Sequence, residues 1–435
     1  MKYNISKSII TLGLSAMLFT GCKKDFTNPN AATDEQVFSS ARGLTGVAIS
    51  LQRVYAVGRT STVYNMVTAN GFVTNELFLV NPGNLPEAQL NLGAGSVDPT
   101  NTILANIWAN ASKIIYDGDK VIAGAEQLSD KNYASGLIGY TSIFKALALG
   151  SLAMYWEKVP DGVGVNVTFS DRTQGYARAI TAIDKALTAI SANAISASFT
   201  ANIPAGIDII NTLNALKARY MLFSGNYAGA LTAANLVDVT KRSTFNYDAL
   251  TLNPIFETST ATNNVFQPID STMGLPLALR PDPADKRVPF YMSINPTIAP
   301  RFRINGFGAT ASTVFPVYLP DEMRLIKAEA YVRQAAPNLA LAKVEIDAVL
   351  KQAPAADPLG VGADIAAGYT GALDAASLLT EIYRNRSIEL YMSGLKLEDM
   401  RRFGRPLTER KRNFFPYPFR ERDNNKANTP PDPTF

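Results

Sequence analysis

The side chains that most often carry chemistry are scarce in this sequence. It has no His and a single Cys, Cys22, in 435 residues. The commonest general base and metal ligand at neutral pH is therefore missing. Neither an intrachain disulfide nor a thiolate metal cluster can form. No phosphate-binding Gly loop, nucleophile elbow, metal-binding motif or dinucleotide fingerprint is present. Two carboxylates suffice for glycoside hydrolysis, so a secreted helical hydrolase stays open, although no acidic pair stands out. Binding is the better expectation. Sugars present flat apolar faces ringed by hydroxyls, so their sites combine exposed aromatics with amide or carboxylate hydrogen bonds. Trp108 lies in helical register and Trp156 sits at a helix end, which assigns both to the core. The remaining candidates are loop residues: Asn75, Glu76 and Phe78 at the start of one long loop, and Tyr291, Arg303 and Phe307 in a Pro-rich stretch. The pattern predicts no cofactor and no metal.

Helices must position these loops. Thr33-Asp-Glu-Gln36 has capping-box spacing, and Val37, Ala41, Leu44, Ala48, Leu51 and Tyr55 continue as an apolar helical stripe. Asn75 to Thr102, with Gly, Pro and Asn at 81–84, 86, 93 and 95, reads as a loop. Helices are predicted over Ile103–Leu128, Tyr140–Trp156 and Gln174–Ile190. In the stretch 218–234 the positions Ala218, Gly225, Tyr227, Ala230 and Ala234 have tetratricopeptide spacing, in which small residues admit close helix approach and Gly permits the turn. Ala328, Ala335, Ala340 and Val344 repeat those intervals, and a fainter copy surrounds Ala146 and Ala153. Between the two clear copies, Asn253 to Pro320 holds ten of the 25 prolines, a density that forbids long helices and central strands. The expected class is mostly α: tetratricopeptide-like helical pairs over about 33–250 and 316–410, with an irregular lobe over about 251–320, in one domain spanning 22–435.

Lys2 and Lys7 precede an apolar run from Ile9 to Phe19, and Thr20-Gly21-Cys22 follows. Eleven residues are too few to anchor a helix across a bilayer, so 1–21 reads as a lipoprotein signal peptide and Cys22 as the lipidated first residue of the mature chain. Two or three acyl chains would anchor it firmly. Lys145 interrupts the longest later apolar run, Ile138 to Trp156, which argues against a second span. Net charge is +4, and +2 once Lys2 and Lys7 are removed, too little to point to nucleic acid. The eight Lys or Arg against four acids between Asp399 and Asp423 fall in a segment broken by Gly404, Pro406, Pro416 and Pro418, so a solvated face near a membrane or partner is expected.

The C-terminal run from Leu378 to Gly404 places Leu379, Tyr383 and Leu390 on one face, widened by Ile382 and Met392. Arg386 and Glu389, three apart, are expected to pair. Gly394 is a natural stop, and Lys396–Arg402 reads as a second helix. This run, with Pro416 and Pro418 beyond it, resembles the C-terminal signature of the SusD/RagB family of nutrient-binding outer-membrane lipoproteins. Arg386, Glu389, Leu390, Gly394, Asp399, Arg402, Pro416 and Pro418 match, whereas Asn385, Ser393, Lys396 and Met400 depart from it. Arg280–Arg287 resembles the Asp-x-Arg turn that members carry. The resemblance implies a SusD-like fold of helical pairs interrupted by insertions, and a signature that holds the fold and touches no ligand. It implies a lipid-anchored, cell-surface protein of the outer membrane that delivers a glycan or peptide to a SusC-like TonB-dependent transporter. It also implies that the regions of Asn75–Phe78 and Tyr291–Phe307 face the ligand. A repeat-type adaptor binding a protein or peptide is the further alternative.

Overall fold

The computed structural model describes residues 33–435, so Cys22 and the leader lie outside the described residues. Thr33 opens with the predicted capping box: Gln36 N donates to Thr33 Oγ1 at 3.3 Å, and Thr33 N donates to Gln36 Oε1 at 3.0 Å. The first helix stops at Phe38, and Ser40 caps a new start, α1 (Ala41–Ala56). The scaffold continues with α2 (Thr62–Val73), α3 (Thr102–Glu126), α4 (Lys131–Tyr155), α5 (Arg172–Ala192), α6 (Ile209–Phe223) and α7 (Tyr227–Ala234). After the lobe come α8 (Pro320–Arg333), α9 (Leu339–Lys351), α10 (Ala375–Glu389) and α11 (Lys396–Arg402). The fold is mostly α. Side-chain oxygens of Asn101, Asp130, Asp208, Asn226, Asn338 and Asp374 cap α3, α4, α6, α7, α9 and α10, accepting first-turn amides that have no partner within the helix.

Packing follows from small residues. α4 starts nine residues before the predicted Tyr140 and is buried almost throughout. A methyl group added at Gly136 would strike Phe199, and one at Gly150 would strike the Tyr220 ring, so both positions let a neighbour close onto the helix backbone. α4 is long and apolar enough to cross a membrane even with Lys145 in it, but 94% of its apolar window is covered by the protein itself. It serves as the central core helix.

The helical pairs are present, with one change of register. Ala218, Ala230 and Ala234 are buried between α6 and α7, and Gly225 makes the turn at φ 79°. In the second copy Ala328 is buried, but Ala335 and Ala340 are exposed and Val344 is 58% exposed. The connection explains this. One cap and Gly225 separate α6 from the cap residue Asn226, whereas Gln334 to Pro337 separate α8 from Asn338. The longer turn moves the buried positions to Ala342 and Ile346, four and eight residues past Asn338, as Ala230 and Ala234 lie past Asn226. The fainter copy is sound: Ala146 and Ala153 are buried, and Gly175 of α5 closes onto Ala153.

The lobe is irregular, as the prolines require, and carries short antiparallel strands at its edges. Leu77–Leu79 pairs with Phe266–Pro268, Ser243–Phe245 with Phe315–Tyr318, and Met292–Ile294 with Phe302–Ile304. The segment from Asn75 to Thr102 departs from the predicted loop. It holds the first of these strands and a helix, Leu85–Leu92, with Pro86 in the first turn where a missing N–H costs nothing. One hydrophobic cluster runs through scaffold and lobe alike, and a smaller one joins α8, α9 and α10.

Candidate ligand-binding surface

Buried charge fastens the lobe to the scaffold. In the turn Asp285-Lys286-Arg287, Arg287 Nε and Nη2 donate to the Asp285 carboxylate at 3.0 and 2.7 Å. Arg287 Nη2 also donates to Asn385 Oδ1 at 2.8 Å, and Nη1 to Glu389 Oε2 at 3.2 Å, both on α10. All four residues are buried. The expected Arg386–Glu389 pair therefore does not form. Glu389 turns to the lobe, and Arg386 donates through Nε and Nη2 to Asp399 of α11 at 2.8 and 3.0 Å. That fork satisfies two donors with one carboxylate, which a helical neighbour three residues away does not match.

The carboxyl groups of this region split. Burial drives Glu389 well up, neighbouring Asp321 adds to the rise, and Arg287 opposes it. Burial pushes Asp321 up to about 7 against the pull of Arg324. For Asp399 burial also acts upward, but Arg386 and Arg402 outweigh it and hold the carboxyl below its usual range. These groups lie beneath the lobe, and their task is cohesion.

Two predicted ligand residues belong to the same interior. Glu76 is fully buried. Its Oε2 accepts from Asn70 Nδ2 at 2.9 Å, and its carbonyl accepts from the Tyr391 hydroxyl at 2.9 Å. Burial pushes Glu76 up to about 7 and the adjacent Lys396 down to about 8. Asn75, at φ 60°, donates through Nδ2 to the Glu409 carbonyl at 3.1 Å. Tyr291 is buried, and its hydroxyl donates to the Glu389 carbonyl. Glu76 and Tyr291 are thus corrected to core residues: each side chain is covered and its polar end engaged inside. Trp108 and Trp156 are core as expected, edge to face at 4.9 Å, with their indole N–H groups on Glu421 and the Pro416 carbonyl.

Phe78 and half-buried Arg303 lie on two strand pairs that Gln267 joins. Phe78 is 44% exposed and stands directly across from Gln267 in the strand pair. Gln267 Oε1 accepts from Ile304 N at 2.9 Å, which ties this pair to the hairpin carrying Arg303. The Asn263-Asn264 turn closes the connection. Arg303 Nη1 donates to Asn263 Oδ1, Asn81 Nδ2 donates to Asn264 Oδ1 at 3.0 Å, and Val80 N donates to the Val265 carbonyl at 3.0 Å. Exposed Ser293 lies opposite Arg303. The joined strand pairs carry an aromatic ring, amides, a hydroxyl and a guanidinium, a set suited to a sugar's apolar face and hydroxyl rim. Asn263 and Asn264 escaped the sequence reading. Their one signal is an Asn doublet between polar and apolar runs, where a left-handed turn is tolerated, and Asn263 does sit at φ 48°.

Phe307 joins Tyr291 instead on the wall of a partly open cavity of about 60 Å³ between lobe and scaffold, packed on Phe290, Tyr291 and Phe315. Arg219, bidentate on Glu322 at 2.6 and 2.6 Å, lines the same space. The cavity has room for a few waters and is smaller than the roughly 150 Å³ that admits benzene, so it is not the place for a sugar ring. Among the described residues no group of three or more His, Cys, Asp or Glu is arranged to hold a metal ion.

No protein-family profile matches the chain. No curated protein matches it in sequence either. Solved structures match in shape. A SusD superfamily protein from Bacteroides fragilis superposes with TM-score 0.67 at 16% identity, covering 91% of this chain and 100% of that one. A SusD-like carbohydrate binding protein from the same species gives 0.65 at 16% identity, covering 85% and 87%. A laminarin binding SusD-like protein gives 0.62 at 14% identity, covering 91% and 99%.

Proposed function

We propose that this chain, whose fold is SusD-like, belongs to the SusD/RagB family and works as a lipid-anchored cell-surface protein of the outer membrane. It captures an oligosaccharide on the lobe face and passes it, chemically unchanged, to a SusC-like TonB-dependent transporter. The observation that carries the reading is the face itself. Phe78 is exposed on a strand whose partner, Gln267, fixes the Arg303 hairpin, with Asn81, Asn263 and Asn264 around them. Neighbouring folds named as carbohydrate-binding support the ligand class. The anchor is supported by Cys22 behind a short leader, and the transporter by the C-terminal resemblance. The buried carboxyl groups of Glu389 and Asp321 are engaged with Arg287 and Arg324 beneath the lobe, and that of Glu76 with Asn70, which favours holding cargo over hydrolysing it.

Affinity electrophoresis of the mature chain through gels containing a panel of polysaccharides tests the reading. At least one polysaccharide is expected to retard it, and Phe78→Ala to relieve the retardation. A panel that retards nothing, or retardation indifferent to Phe78, overturns it. Purification of the tagged, lipidated protein from its native membrane is expected to bring down a large β-barrel protein, and recovery without one contradicts the transporter role.

A further inference from the structure

One stretch of the candidate face is basic, while the 253–270 stretch beside it carries Glu257 and Asp270. Between Lys286 and Asp321 the chain carries Arg287, Arg301 and Arg303 and no Asp or Glu. Arg287 is buried and consumed by Asp285, Asn385 and Glu389. Arg301 is exposed and Arg303 half-buried. Arg301 lies over the Phe302 ring at 5.0 Å, and Arg303 donates through Nη1 to Asn263 Oδ1. Among the described residues neither has a carboxylate partner, although the scaffold's arginines are widely paired, Arg219, Arg386 and Arg402 among them.

Geometry makes this more than a charge count. Arg301 precedes the Phe302–Ile304 strand and lies over the Phe302 ring, and Arg303 sits within the strand directly across from Ser293. Asn263 engages the Nη1 end of Arg303 and so orients the guanidinium plane. Among the described residues the opposite Nε–Nη2 edge has no acceptor. That edge is the one that takes a carboxylate with two parallel N–H···O bonds. Ser293 beside it offers a hydroxyl, and Phe78 across Gln267 offers a ring.

We infer that the ligand is an acidic oligosaccharide bearing carboxylates at C6, a uronate oligomer, with a carboxylate on Arg303, Arg301 adding attraction, and a neighbouring sugar ring on Phe78. This inference rests on the glycan-binding reading above and specifies its ligand. A neutral glycan would leave the free guanidinium edge to water. A carboxylate replaces that water with a charge-assisted pair and adds long-range attraction that salt screens.

Isothermal titration of the mature chain with oligogalacturonate and alginate oligomers, and with their carboxyl-reduced neutral counterparts, tests it. In wild type at least one acidic oligomer is expected to bind tenfold or more tightly than its neutral counterpart, and to weaken as salt rises. Arg303→Gln, with unchanged melting temperature, is expected to remove that preference, and Phe78→Ala to weaken acidic and neutral oligomers alike. Equal binding of a neutral counterpart, or an acidic preference that survives Arg303→Gln, overturns the inference and leaves the glycan reading standing. No binding of any oligomer, acidic or neutral, overturns both.

Discussion

Replacing Arg287 with Ala removes the cation that holds the lobe on α10. Four hydrogen bonds disappear, at 3.0 and 2.7 Å to Asp285, 2.8 Å to Asn385 and 3.2 Å to Glu389. What remains matters more than what is lost. Asp285 stays buried without its countercharge, and Glu389 and Asn385 Oδ1 lose their donor. Breaking a buried pair by deleting one partner costs about 3–5 kcal/mol, whereas exposed pairs contribute about 0–1 kcal/mol. Against a typical total of about 5–15 kcal/mol the loss is large. Urea unfolding followed by fluorescence of buried Trp108 and Trp156 measures it. A second substitution separates charge from packing: Arg287→Ala with Asp285→Asn is expected to recover part of the loss, because a neutral amide needs no countercharge. A loss below about 1 kcal/mol, the figure for an exposed pair, would refute the claim that this cluster fastens the lobe.

The pH dependence has a definite sign. Burial raises Asp321 and Glu76 to about 7 and raises Glu389 as well, so the folded chain holds more protons than the unfolded chain over the interval. The stability these groups contribute is present near pH 4 and is lost as pH rises towards 7. Urea midpoints are therefore expected to fall from pH 5 to pH 7.5, and Asp321→Asn to flatten the slope. Asp399 and Glu398, held low mainly by arginines that outweigh their burial, give the opposite limb, with stability lost as pH falls below about 4. Gly150→Ala drives a methyl into the Tyr220 ring and hydroxyl, and thermal melting is expected to show a loss of about 1–3 kcal/mol from overpacking. Phe78→Ala removes a ring that is 44% exposed, so the same melt should shift by no more than about 0.5 kcal/mol while glycan retention falls.

Where the chain obeys local rules, the sequence was enough. The Thr33–Gln36 box, the Ala218–Ala234 hairpin, α3 and α5, and the burial of both Trp residues follow from spacing and periodicity alone. The register of the second pair was not legible, because the intervals from Ala328 to Val344 match while the turn before Asn338 is longer. The partners of Arg386 and Glu389 were hidden for a related reason. Spacing along one helix places two groups side by side, but α11 and the Asp285–Arg287 turn supply competitors from far along the chain. The candidate face was half legible. Phe78 and Arg303 lie within strands, whereas Glu76 and Tyr291 precede the strands Leu77–Leu79 and Met292–Ile294 and turn inward. Strand alternation does not reach residues outside a strand, so only the fold shows which way they face. Asn263 and Asn264 matter through the contacts of a turn, and a turn's contacts are three-dimensional.

A captured glycan must touch the lobe and leave the helical pairs free. Hydrogen–deuterium exchange of the mature protein, with and without a polysaccharide that it retains, reads this directly. Slowed exchange is predicted in the segments 77–84, 262–267 and 292–304, which hold Phe78, Asn263 and Arg303 together, with α8 and α9 unchanged. Protection confined to the α8–α9 pair, as a repeat-type adaptor would show, or none in the three lobe segments, would contradict it.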